Sequence, residues 1–166
     1  MRSLAILLLL ATPAIAQEIS FSPEATEACV AAAEDALGRM GCVGRSADAC
    51  IEGPGGESNA GIGACLVAER DFWEGHRERA LGALVEIETR NSEELASLGS
   101  AAPSSIEALR AMDGAWIAWR DAACAYEVSQ WGGGSGGGPA EAQCLMRMTG
   151  RQALALEDRL KAATGP

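Results

Sequence analysis

The chain has 166 residues, with 23 acidic side chains against 13 basic ones and a net charge of −10. That length holds one domain plus at most a processed segment, and it excludes a two-domain enzyme. Aromatic residues are few (four Trp, two Phe, one Tyr) beside 20 glycines, which argues against a β-sandwich or barrel and for helices; the acidity disfavours phosphate backbones and anionic lipid as partners and favours a cationic one.

Residues 1–16 read as an export signal. Arg2 supplies the charge, Leu4 to Ala11 form the apolar stretch, and Ala14-Ile15-Ala16 is a small-x-small cleavage pattern. The apolar run is far shorter than the roughly 20 residues that span a bilayer, so no membrane insertion is expected once it is removed. Gln17, not cysteine, follows the cleavage point, so no lipid anchor is expected there. Cleavage removes Arg2 alone among the charges and leaves 12 basic against 23 acidic groups, a net charge of −11. A soluble periplasmic or secreted protein is expected.

Residues 17–58 form an N-terminal helical extension carrying Cys29, Cys42 and Cys50. Ser22-Pro23-Glu24 is a helix start, with a capping serine, proline at the first helical position and an acidic first turn. The helix is expected to run through Cys29, Val30 and Leu37 to Gly41. A short helical turn around Ala47 to Cys50 precedes the connector Gly53-Pro54-Gly55-Gly56.

Residues 59–166 form the main helical domain. A long helix from about Asn59 to Thr89 has the stripe Ile62, Leu66, Trp73, Ala80, Leu84 and Ile87, close to a 3.6-residue period. Glu69, Glu74, Glu78, Glu86 and Glu88 read as its solvated face. Glu93 to Leu98 add a turn or extend the helix. Pro103 opens the next helix, with Ile106, Leu109, Trp116, Ile117, Cys124, Val128 and Trp131 on its stripe, and Gly132 ends it. Pro139 starts the last, with Leu145, Met148, Leu156 and Leu160 on one side. No window alternates with period two long enough for a strand. The fold expected is all-α: a small disulfide-stapled, up-and-down bundle of three principal helices with an N-terminal helical extension.

Six cysteines, an even number, follow the signal: Cys29, Cys42, Cys50, Cys65, Cys124 and Cys144. Their closest spacing is eight residues, unlike the tight pairs of metal sites, so three disulfides and no metal are expected. Proximity between helix ends pairs Cys124 with Cys144. Among the other four, Cys29–Cys42 with Cys50–Cys65 closes two local loops; sequence alone also permits the two remaining arrangements.

Ala111 to Cys124 contains Trp116-Ile117-Ala118-Trp119-Arg120-Asp121-Ala122-Ala123-Cys124. This W-I-x-W-R-D-x-x-C run resembles the signature of the lysozyme-inhibitor LprI-like family. The resemblance extends to Cys65 before a long helix, Leu84, the segment Gly133-Gly134-Ser135, and Cys144 followed by Leu145 and Thr149. It covers roughly residues 50–160. It implies a small helical binding protein and, as target, a lysozyme. The chain departs from the pattern at Asp113, where glutamine is usual, at Arg77-Glu78 and Leu81, where L-N-x-x-Y is common, and at Gln152 in place of arginine.

Trp116, Arg120 and Cys124 stack at i, i+4 and i+8 on one helix face. The Arg120 guanidinium can lie on the Trp116 ring, and Asp113 is its candidate partner. Together they read as a core-organising motif. Trp119 lies on another stripe and is a candidate contact residue. Gly132–Gly138 reads as a connector inside the disulfide loop. It lacks the lysine and preceding strand of a P-loop, and as a loop held at both ends it also offers Trp131 and Ser135 as contacts. His76, the one histidine, has no catalytic motif around it, so no enzyme and no cofactor are expected. The function expected is binding of a cationic c-type lysozyme or another basic envelope protein. A scaffold role in the envelope with no lysozyme target is the alternative.

Overall fold

The computed structural model describes residues 18–165, and the expected export signal lies outside them. Six helices and no strand occur among the described residues: α1 (Glu24–Ala32), α2 (Ala36–Met40), α3 (Arg45–Ile51), α4 (Asn59–Ser97), α5 (Ser105–Ser129) and α6 (Gly137–Thr164). The all-α fold is the one expected, but the single helix expected from Pro23 to Met40 is broken in two. A straight helix would hold Cys29 and Cys42 about 20 Å apart at 1.5 Å per residue, whereas their disulfide holds the Cα atoms at 5.6 Å. The chain therefore turns at Ala33, which is extended, and Asp35 opens α2 by accepting the Gly38 N–H at 2.7 Å. An aspartate that offers its own backbone-capping bond favours such a break.

The starts of α4 and α5 are serine caps, whereas α3 and α6 begin at Gly44 and Gly136 with no side-chain cap. Ser58 accepts the Gly61 N–H at the start of α4, and Ser104 accepts the Glu107 N–H at the start of α5. The region around Glu93 to Leu98 extends α4, which reaches 39 residues, about 58 Å long. Pro139 lies in the first turn of α6 and not at its first residue.

The three long helices run up, down and up. Ser92 meets Ser105 where α4 hands over to α5, and Asn59 meets Ser135 at the opposite end. The most extensive pairing is α4 with α6. Leu66 and Trp73 of α4 pack there against Met146, Ala153 and Leu154 of α6, with Ala47 of α3 alongside. A second cluster joins Ala80 and Leu84 to Leu156. The buried side of α6 differs from the one expected. Leu156 is buried, but Leu145, Met148 and Leu160 are only half-buried, and Ala142, Met146, Thr149, Gly150, Ala153 and Leu154 complete the face. Small residues bring α6 close to its neighbours: a Cβ at Gly150 would come within 2.6 Å of Val43 and 3.1 Å of Trp73. A search for large apolar residues passes over such a face.

The extension docks through a buried carboxylate. Glu69 belongs to none of the solvated faces of α4: it is fully buried. Its Oε1 accepts from the Thr26 hydroxyl at 2.8 Å, the Gly44 N–H at 2.7 Å and the Trp73 Nε1–H at 3.1 Å; its Oε2 accepts the Ala47 N–H at 2.6 Å. Thr26 and Ser46 each accept the other's backbone N–H at 3.0 Å. A buried charge is tolerated only when so surrounded by donors. Arg39 of α2 adds an ion pair to Asp158 of α6, whose hydrogen bond holds the guanidinium above its ordinary pKa against the opposing effect of burial. The disulfides are Cys29–Cys42, Cys50–Cys65 and Cys124–Cys144, with no free cysteine among the described residues.

Candidate functional site

Two places on the long helices carry the residues singled out by sequence. The first is the face between α4 and α5. Trp116 lies half-buried under two cations, with Arg77 Cζ 5.3 Å and Arg120 Cζ 5.0 Å from its ring centroid, within the distance at which a guanidinium is attracted to an indole. The partnership expected between Arg120 and Asp113 is not formed. Asp113 instead accepts Arg77 Nη1 at 2.7 Å, while Arg77 Nε and Nη2 donate to Glu74 at 2.9 and 2.7 Å. Arg120 pairs with Asp121 at 2.8 Å and stands 3.7 Å from Glu74.

The reason is reach. Arg77 projects from α4 across the interface, and Asp113 faces it from α5; Arg120 lies toward the rim, where Asp121 is its sequence neighbour. Burial opposes the charge on Arg77, but hydrogen bonding to Glu74 and the charges of Glu74, Asp113 and Glu78 outweigh it and hold its pKa above the ordinary value. Arg77 and Asp113 are two of the positions at which the chain departs from the pattern it resembles, and they meet each other. Sequence reasoning missed Arg77 because a single-helix view shows only its own Glu74.

The second place is the turn between α5 and α6. Gly132 and Gly133 adopt left-handed backbone, at φ +55° and +84°, which favours glycine. Successive turns close the segment, with the Gly134 N–H bonding to Trp131 O at 2.8 Å and the Gly137 N–H to Gly134 O at 3.1 Å. Ser135 Oγ accepts from Asn59 Nδ2 at 3.0 Å. The segment expected to be a loose connector is thus tied to the start of α4. The Trp131 ring lies over Gly136, where any Cβ would overlap it. Trp131 remains 50% exposed and stands between two grooves. One, of about 420 Å³, includes Ser135, Gly136, Asn59 and Ile62. The other, of about 370 Å³, includes Glu127, Gln143, Arg147, Met148 and Arg151. Trp131 and Ser135 are therefore brought together, but Trp119 shares neither groove. Trp119 is 63% exposed on the outer side of α5, one heptad before Tyr126 at 66%.

The grouping around His76 has a structural partner. His76 Nδ1 lies 2.8 Å from Glu157 Oε1, and its ring packs 4.5 Å from that of Phe72. No group of three or more metal-ligating side chains occurs among the described residues. No helix among them is long and apolar enough to cross a membrane.

Comparison with known proteins fits this arrangement. An uncharacterized 17.7 kDa protein in the puhA 5′ region of Rhodobacter capsulatus is 26% identical over 141 residues, covering 82% of this chain and 85% of that protein. No solved structure matches. Residues 50–156 match the family described as Lysozyme inhibitor LprI, and they contain both the Trp116–Arg120 face and the Trp131 turn. The chain belongs to the lysozyme inhibitor LprI family.

Proposed function

We propose that this protein is an exported, soluble binding protein that inhibits a cationic c-type lysozyme, and that it acts by occupying the enzyme and not by chemistry of its own. Membership of the inhibitor family over residues 50–156 carries this reading. The charge of −10 supports a cationic target, since opposite charge raises the rate of encounter. The contact is assigned to the Trp131 turn, with Ser135 beside it. An aromatic side chain held by a rigid frame and left half in water is the kind of anchor that dominates interfaces.

The test is a lytic assay with the mature protein and its Trp131→Ala variant. Inhibition by the native protein is expected, with a loss of about tenfold or more in the variant and an unchanged melting temperature. Absence of binding tighter than about millimolar at low salt removes the reading. If Trp131→Ala inhibits as well as the native protein, the contact must be sought on the acidic helix faces.

One observation favours a second reading, an envelope scaffold with no lysozyme target. Trp119 and Tyr126 lie exposed among Ala115, Ala118, Ala122 and Ala125 on the outer side of α5, an apolar face suited to a protein partner. Inhibition that survives Trp119→Ala separates this face from the Trp131 turn.

A further inference from the structure

Arg147 and Arg151 lie one turn apart on α6. Both are exposed, and neither has a carboxylate within ion-pair distance among the described residues. They line the groove of about 370 Å³ beside Trp131, together with Gln143 and Met148, and Glu127 is the one carboxylate on its wall. In a protein of net charge −10 this is a local reversal of sign at the foot of the exposed indole. We propose that this groove binds carboxylates, and that its ligand is the pair of catalytic carboxyl groups in the target lysozyme's cleft. The inference rests on the reading of the protein as a lysozyme inhibitor.

The spacing fits. Glycoside hydrolases that retain configuration carry two carboxyl groups about 5–5.5 Å apart. Side chains one helical turn apart have Cβ atoms about 5–6 Å apart, so two guanidinium groups can meet two carboxyl groups with one each. Guanidinium is suited to the task because it stays charged and presents paired donors to a carboxylate. Two arginines against the single Glu127 leave the groove positive.

The walls are fixed before binding. The Cys124–Cys144 bridge joins the end of α5 to α6, and Cys144 itself lines the groove. The closed turns hold Trp131 against Gly136. Backbone ordering then opposes association little, and the ordering cost falls on the two arginine side chains. The distribution of charge also suits such a target. The acidic excess attracts a cationic enzyme as a whole, while the arginine pair meets the acidic centre of its cleft. A uniformly acidic inhibitor would repel that centre.

The experiment measures affinity and inhibition for a c-type lysozyme with three proteins: native, R147E/R151E, and a control R45E/R110E that makes the same change in net charge at exposed sites away from the groove. Melting temperatures check that all three are folded. The expected result is a loss of about tenfold or more for R147E/R151E, a change within about threefold for the control, and displacement of the native protein by a chitooligosaccharide that fills the enzyme's cleft. Equal losses in the two variants, native-like inhibition by R147E/R151E, or binding that the oligosaccharide leaves untouched each overturn the carboxylate site while the inhibitor reading stands. Failure of the native protein itself to bind the enzyme overturns that reading, and the site with it.

Discussion

Arg77 and Arg120 both lie over Trp116, yet they differ in what their removal leaves behind. Arg77 is 6% exposed and joins Glu74 on its own helix to Asp113 on the next. Truncating it leaves the half-buried Asp113 and Glu74 without their shared cation, which costs more than the pair contributes when intact. Arg120 is bonded mainly to the exposed Asp121, and an exposed pair contributes little. Arg77→Ala is therefore expected to destabilise the protein by about 3 kcal/mol. Arg120→Ala should cost about 1 kcal/mol, chiefly by uncovering the indole. Denaturant titration checks the ranking, with a fall in melting temperature of about 10 °C expected for Arg77→Ala. Equal losses would mean that Trp116, not the cross-helix ion pair, organises this face. Because both the Arg39 and Arg77 pKa values are raised, the stability they contribute is fully present below the ordinary guanidinium range and is lost only as pH rises through and above it. These pairs hold throughout neutral pH.

Among the elements, the α5–α6 hairpin joins stability to the contact surface. Cys124–Cys144 closes a 20-residue separation, worth about 3 kcal/mol on the chain-entropy account. Met148 fills the space beside it, with its Sδ 3.7 Å from Cys124 Sγ and 3.8 Å from Cys144 Sγ. The bridge lies beside the turn that presents Trp131, so its loss should loosen both the bundle end and the groove. Changing both cysteines to serine is expected to cost about 3 kcal/mol and to weaken lysozyme inhibition even where the variant remains fully folded. Inhibition that stays native-like in the folded variant would show that the turn holds its shape through the Asn59–Ser135 bond and its backbone turns alone. The N-terminal helices depend on a different fastening: Glu69 and Cys50–Cys65 hold them to α4, while the reciprocal Thr26–Ser46 bonds and Cys29–Cys42 hold α1 to α3 and the turn before it.

For the whole molecule, the charge of −10 governs encounter more than grip. The Debye length falls from about 10 Å at 0.1 M salt to about 3 Å at 1 M. Association with a cationic lysozyme is therefore expected to slow steeply over that range, while dissociation, governed by contacts at Trp131 and its groove, changes less. Stopped-flow association with surface-binding dissociation measurements checks this. An association rate indifferent to salt would remove electrostatic steering from the account.

Local signals in the sequence were sufficient for much of this molecule. The 3.6-residue stripe through Leu66, Trp73, Ala80 and Leu84 and the glycines after Trp131 act over a few residues, so the long helices and the turn are legible without a fold. The W-I-x-W-R-D-x-x-C run likewise pointed to the family. Tertiary structure decided what depends on the neighbouring element. Glu69 reads like the other glutamates of α4 until α1 and the start of α3 cover it with three donors, beside Trp73 of its own helix. Arg77 reads as a surface cation until Asp113 arrives from α5. The break at Ala33 follows from a disulfide that forces the chain back on itself. The buried face of α6 is built from Ala142, Gly150 and Ala153, whose value is the close approach they permit, and that value exists only once a second helix is there to approach.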